Sequence, residues 1–434
     1  MDLNTVLLGV YVLLVGAGLW LLLTRRLPVL FALAFLSAVA YSFPLFMGFA
    51  MYPGRGGTFT PTSLIPIAYV VNSAILAAIL LAGSCAREQM SAKRRRWRLQ
   101  GTHLAGWSAM ILSLALLAYG VVSAGSDLFS EDKLVVLKAT GRGYSLAMVA
   151  AFVAVAFAIE MRSRIVLVLA LTVLAFDLYI GFRAWTVMAI AVAAVLYLSS
   201  GEARREGPRR VNRTLVATLA VLALGVFFYK GIFPNIKAGE FDVAWAKLQD
   251  PEFYLASVII GEPFIVQGVL NEVLLTDYSV SGEHLLNVFL LLLIYTPELG
   301  FNVRYFNDYF QEDLFPGTSE FMGMGNNFWA EALSVGGVGG LVMYLGLFIA
   351  GLYFATKLLA SESRVVRATA ASVAVPWAFY IHRNELIVHL SYERQIILVV
   401  VSAILGSMLL SEIANALKRS IVPVDSKEPP RAGA

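Results

Sequence analysis

Charge is scarce in this chain. Lys, Arg, Asp and Glu make up 14% of its 434 residues, and 59% of residues are hydrophobic; soluble domains carry about 25% charge. That balance excludes an ordinary soluble enzyme and a disordered chain. Cys85 is the one cysteine, so no disulfide and no cysteine-based metal cluster forms within the chain. Several catalytic signatures are also missing. No G-x-x-x-x-G-K-[ST] loop occurs, which removes a P-loop ATPase. No Asp-x-Asp pair and no H-E-x-x-H spacing occurs, so metal-dependent transfer from nucleotide sugars has no support and no metal site is expected. No G-x-S-x-G elbow occurs, which removes the usual serine hydrolase.

What the chain has is apolar runs of about 20 residues along almost its whole length, as a bilayer core about 30 Å thick demands of a helix. The pattern predicts an all-α polytopic membrane protein with eleven spans: 4–23, 27–51, 64–86, 104–124, 144–160, 165–181, 184–199, 214–233, 328–356, 369–382 and 395–416. With the 24–26 turn placed in the cytoplasm, the inner segments hold 22 of the 33 Lys and Arg. That excess orients the chain with its N-terminus outside and its C-terminus inside. The basic run Lys93-Arg94-Arg95-Arg96 then reads as topology and contact with anionic lipid, not as a nucleic-acid site.

This reading divides the chain into spans 1–233, a large external loop 234–327, spans 328–420 and a disordered inner tail 421–434. The loop holds two moderately apolar stretches, 253–275 and 284–296, expected as short helices on the outer membrane surface. A structureless loop of that length is improbable, so it is expected to fold over an external site.

Ionisable groups near membrane depth are the natural functional suspects. Arg183 stands in the tight turn Gly181-Phe182-Arg183 between two spans, after Asp177 in the sixth. The segment from His382 to Arg394 holds Arg383, Glu385, His389, Glu393 and Arg394. If it is helical, Arg383 and Arg394 lie on one face, about three turns apart. A third cluster runs from Gly323 through Asn326, Asn327 and Trp329 to Glu331 and the glycines at 336, 337, 339 and 340. It reads as a glycine-rich entry into a helix with a carboxylate one turn in, where the dipole favours it.

With these residues in view, the chain resembles the Wzy-type O-antigen and exopolysaccharide polymerases, the oligosaccharide repeat-unit polymerases. The resemblance lies in the plan: many spans, basic inner loops and one large late external loop. Gly181-Phe182-Arg183 looks like the family's G-x-R turn, Asn326 to Gly337 like the polar helix entry, and Arg383 with Arg394 like its arginine pair. The family more often has twelve spans with both ends inside. Its overall architecture is similar to that of GT-C-like polymerases and ligases acting on lipid-linked glycans.

The resemblance implies a metal-independent glycosyltransferase of the bacterial inner membrane, with its site facing the periplasm. The growing glycan passes from undecaprenyl pyrophosphate to the non-reducing end of a new lipid-linked repeat unit. Arg183, Arg383 and Arg394 are expected on the pyrophosphate, because guanidinium forks bind phosphate oxygens bidentately and stay charged. No cofactor is implied. Glu331, His382, His389 and Glu262 are the candidate acid–base groups. Arg304, Tyr305, Asn326, Asn327 and Trp329 are candidates for contact with the glycan. Expected partners are the lipid-linked donor and acceptor, membrane lipids, and a chain-length regulator and a flippase of the same pathway. An O-antigen ligase acting on lipid A-core, or a lipid-linked glycan flippase, is the rival reading. A flippase should line a central cavity with charge, whereas here most spans are bare and charge collects at the outer rim.

Overall fold

The computed structural model describes residues 2–24, 26–53, 59–90, 104–130, 133–199, 213–259, 261–293, 304–314 and 326–421. The basic runs at 93–96 and 204–210, the glycines at 323 and 325 and the tail 422–434 lie outside the described residues. The chain is a helical polytopic membrane protein. Eight helices among the described residues are long and apolar enough to cross a bilayer, and Ala184–Ser199 is a shorter apolar one.

Helix Lys133–Met161 is the centre of the bundle. Every residue from 147 to 158 is buried, and six of those twelve are alanine. Small side chains on all faces let neighbours approach closely, which is how helices associate where lipid supplies no hydrophobic drive. Helices Ala105–Ala124, Arg164–Ile180, Ala184–Ser199, Arg364–Val375 and Leu386–Ile421 pack around it. Helix Leu3–Leu23 is peripheral, with only Tyr11 and Gly18 buried. Its Leu13 and Leu23 are 74% and 78% exposed, as expected where lipid is the solvent.

Three features depart from the expected plan. First, the chain is not purely helical: the second span ends at Met47, and Phe49–Pro53 pairs antiparallel with Phe59–Ser63. Phe49, Tyr52 and Phe59 are aromatic and Thr60 and Thr62 are β-branched, types that fit a pleated surface. Second, the tenth span is not a plain helix. Arg364–Val375 gives way to a π turn at Pro376–Tyr380 and a 3-10 turn at Ile381–Arg383. Ser37 Oγ donates to the Phe379 carbonyl and ties the π turn to helix Val29–Tyr41. Third, the last helix starts at Leu386, not 395. The expected charged segment 382–394 is therefore largely interior, with His382 at 3%, Glu385 at 2% and His389 at 0% exposure.

The segment 234–327 carries helices Phe241–Gln249, Pro251–Ile259, Glu262–Thr276, Glu283–Leu293 and Phe306–Leu314; Pro251–Thr276, expected on the membrane surface, is one of the eight stretches long and apolar enough to cross. Helix Glu262–Thr276 is clamped to the hairpin. A Cβ at Gly268 would lie 2.1 Å from the Met51 carbonyl oxygen, so only glycine permits this contact. Asn271 Oδ1 accepts from Ile65 N at 2.9 Å, and Gln267 and Asn72 exchange carboxamide bonds at 3.1 and 3.2 Å. Helix Phe328–Leu359 is broken at Gly336 and Gly337, the latter at φ 57°. The freed Ser334 carbonyl accepts from Val280 N at 3.0 Å.

Candidate functional site

Two arginines from separate turns converge on one carboxylate. Arg183 follows Gly181, whose φ of 104° ends helix Arg164–Ile180 in the left-handed conformation glycine favours. Its Nη1 donates to the Phe227 carbonyl at 2.8 Å, and its Nη2 donates to Glu262 Oε1 at 2.8 Å. Arg383 ends the 3-10 turn and stacks on Tyr380, 4.9 Å from the ring centroid. Its Nε lies 3.1 Å from Glu262 Oε2, yet that N–H is not aimed at an oxygen and makes no hydrogen bond. Glu262 opens the clamped helix, so Gly268 and Asn271 fix where its carboxylate stands. Lys230 adds a third positive charge to the field at Glu262, and Tyr41 lies within reach of both arginines and the glutamate.

The cluster is partly open: the side chains of Arg183, Arg383 and Glu262 are 19%, 27% and 17% exposed. Two guanidiniums against one carboxylate leave an excess of positive charge. The arrangement is thus an anion site with one seat already taken by Glu262.

Arg394 stands apart. The chain is extended at Asn384, with φ −120° and ψ 161°, so Arg383 and Arg394 do not share a helix face as the helical reading of 382–394 required. Arg394 instead sits where its charge acts on Tyr305. Asp177 does not pair with Arg183 either; Tyr144 donates its hydroxyl to Asp177 Oδ1 at 2.5 Å.

A second polar cluster lies beneath the external helices. Glu331 is fully buried. Its Oε1 is 2.6 Å from His284 Nε2 and accepts from Tyr344 OH at 3.4 Å, while Oε2 accepts from Leu386 N at 2.7 Å. Glu385 Oε2 accepts from Phe306 N and, at 3.2 Å, from Asn307 N. These are free donors at the start of helix Phe306–Leu314, and a carboxylate there also answers the helix dipole. Burial pushes the Glu385 carboxyl well above the usual range; the Glu331 charge adds to this, and the two backbone N–H groups oppose it. Glu331 and Glu385 thereby hold two external helices onto the membrane bundle.

The other expected site residues are committed to the interior or exposed on the surface. Asn327 caps helix Phe328–Leu359 by accepting from Trp329 N and Ala330 N at 2.9 and 3.1 Å, and it donates to Val266 O at 3.0 Å. Asn326 is buried, with Nδ2 unpaired. Trp329 Nε1 donates to His382 Nδ1 at 2.9 Å, which fixes the Nε2–H tautomer of His382. His389 is fully buried and packs edge-on against Phe328 and Trp377. Of the four acid–base candidates, Glu262 alone has a partly exposed carboxylate. Arg304 pairs with Glu312 on the surface and stacks over Tyr309, and Tyr305 is exposed.

Two members of these clusters escaped the sequence reading. His284 is one of four histidines and opens an apolar helix in the large loop, a detectable signal. Lys230 is the one charged residue in the apolar run 214–233, a detectable signal as well. Among the described residues, no three His, Cys, Asp or Glu gather as metal ligands. No protein-family model matches the chain, and no curated protein or solved structure matches it.

Proposed function

We propose that the chain is a lipid-linked glycan polymerase working without a metal ion. The observation that carries this reading is the meeting of Arg183 and Arg383, from turns 200 residues apart, on the single partly exposed carboxylate of Glu262. Such a site takes an anionic leaving group at the end of the bundle where the large loop folds.

In this reading the donor is a glycan on undecaprenyl pyrophosphate, and the acceptor is a second lipid-linked repeat unit. The bond between the anomeric carbon and the pyrophosphate oxygen breaks, and its electron pair leaves with the pyrophosphate. The acceptor hydroxyl oxygen bonds to the anomeric carbon, and its proton passes to a base. The guanidiniums stabilise the charge gathering on the departing pyrophosphate, where preorganised donors act most strongly. Glu262 is the candidate base nearest that anion. The charge bias of the loops supports an orientation with this end away from the cytoplasm, which in this reading is the periplasmic side of a bacterial inner membrane.

Purified protein incubated with lipid-linked repeat units, and no other protein, should lengthen the glycan and release undecaprenyl pyrophosphate. Failure to lengthen it sinks the reading. Orientation is checked separately. Cysteines at 240 and 310 should react with an impermeant thiol reagent in spheroplasts, and those at 95 and 207 should not.

A further inference from the structure

Glu262 occupies the place between two guanidiniums where a ligand anion would sit. It fits that place unevenly: Oε1 takes a good hydrogen bond from Arg183, while Oε2 lies 3.1 Å from an Arg383 N–H that it does not engage. Neither guanidinium makes a bidentate pair with the carboxylate. Arg383 makes no hydrogen bond, although its guanidinium is held by stacking on Tyr380.

We propose that Glu262 is a selectivity residue: an internal anion that a diphosphate ester displaces from Arg183 and Arg383 and that a phosphate monoester does not. The proposal rests on the anion-site reading above. A diphosphate presents oxygens on two phosphorus atoms, so each guanidinium can take a bidentate pair. It also brings more negative charge to a site with two guanidiniums and one carboxylate. A monoester offers one phosphorus and must displace the same glutamate for less return. The displaced carboxylate has a resting place nearby. Glu262 opens its helix directly after Gly261, and the helix dipole there favours a negative side chain.

The test uses the purified full-length protein, with farnesyl diphosphate and farnesyl monophosphate as probes in titration calorimetry. The wild type should prefer the diphosphate by about tenfold or more, the ratio one charge-assisted hydrogen bond carries. Glu262→Gln should bind both probes more tightly, with the larger gain on the monophosphate, so the preference collapses. Glu262→Asp keeps the charge and should keep the preference. A second measurement needs no variant. In the wild type, a carboxyl-modifying reagent followed by mass spectrometry should label Glu262 more when farnesyl diphosphate is bound, and no more when the monophosphate is present. Unchanged labelling, protection by the diphosphate, or a Glu262→Gln protein that retains the wild-type preference overturns the proposal. Arg383→Ala separates the two levels. If it binds both probes as the wild type does, the anion site itself fails and the proposal with it. If binding is lost while Glu262→Gln keeps the preference, only the selectivity role fails.

Discussion

Arg367 and Arg383 each meet a glutamate from a distant part of the chain, at opposite ends of the bundle, and their guanidiniums are treated differently. Arg367 engages all three of its nitrogens. Its Nε donates to Glu160 Oε1 at 3.1 Å, its Nη2 to Oε2, and its Nη1 to the Ser361 and Glu362 carbonyls at 2.9 and 3.3 Å. Arg383 makes no hydrogen bond and shares its glutamate with Arg183. A guanidinium with every nitrogen engaged is a staple. One held in place by a ring and left with free donors is a receptor. Ion pairing alone does not separate the two; the count of unused donors does.

The comparison breaks most sharply by mutation. Arg367→Ala leaves Glu160, at 8% exposure, without its partner, which costs about 3–5 kcal/mol for a buried pair. Protein abundance in the membrane and thermal stability should fall steeply, with activity per folded molecule unchanged. Arg383→Ala should do the opposite: normal abundance, and polymerisation slowed by about 10²–10³, the loss of one donor to a developing anion. Arg383→Lys keeps charge without the fork and should rescue only in part. Normal-length polymer from a well-folded Arg383→Ala protein would remove Arg383 from the pyrophosphate site.

Two smaller effects sharpen the contrast. Gly268→Ala puts a Cβ 2.1 Å from the Met51 carbonyl oxygen. It should cost about 1–3 kcal/mol by overpacking and slow turnover by moving Glu262, with little change in overall fold by circular dichroism. Glu385 has a folded pKa raised above its unfolded value. The stability it contributes is therefore present at low pH and is lost as pH rises from the ordinary carboxylate range through the raised value. Glu385→Gln should flatten that part of the melting temperature against pH, while leaving an acceptor for the two backbone N–H groups. The smallest effect belongs to Arg304→Ala. Its pair with Glu312 is exposed, and the melting temperature should not move measurably.

Much of the architecture was legible because a bilayer sets a strict length and polarity for its helices. The turns bearing Arg183 and Arg383 were visible because charge is rare in such a background. The strand pair Phe49–Pro53 and Phe59–Ser63 was not, since 49–51 continue the apolar run of the second span and the prolines at 53 and 61 read as loop. The helical pairing of Arg383 with Arg394 failed because the break at Asn384 is a tertiary matter: Glu385 turns aside to cap helix Phe306–Leu314, and no local signal states that. Glu262 and Glu331 were both marked as carboxylates of interest. Their different settings, one between arginines and one sealed against His284, depend on contacts spanning up to 121 residues.

The break at Gly336–Gly337 also has a mechanical meaning. An unbroken helix from Phe328 to Leu359 would be a rod of about 48 Å at 1.5 Å per residue, carrying every tilt of its lipid-facing part to the outer end. The break turns that rod into a crank. The short outer arm bears Asn327, Trp329 and Glu331 and is fastened to the external loop through Val280 and His284. The long arm is left to follow the bilayer. The joint uncouples the direction of the two arms, so the arm fastened at Val280 and His284 need not share the tilt of the other.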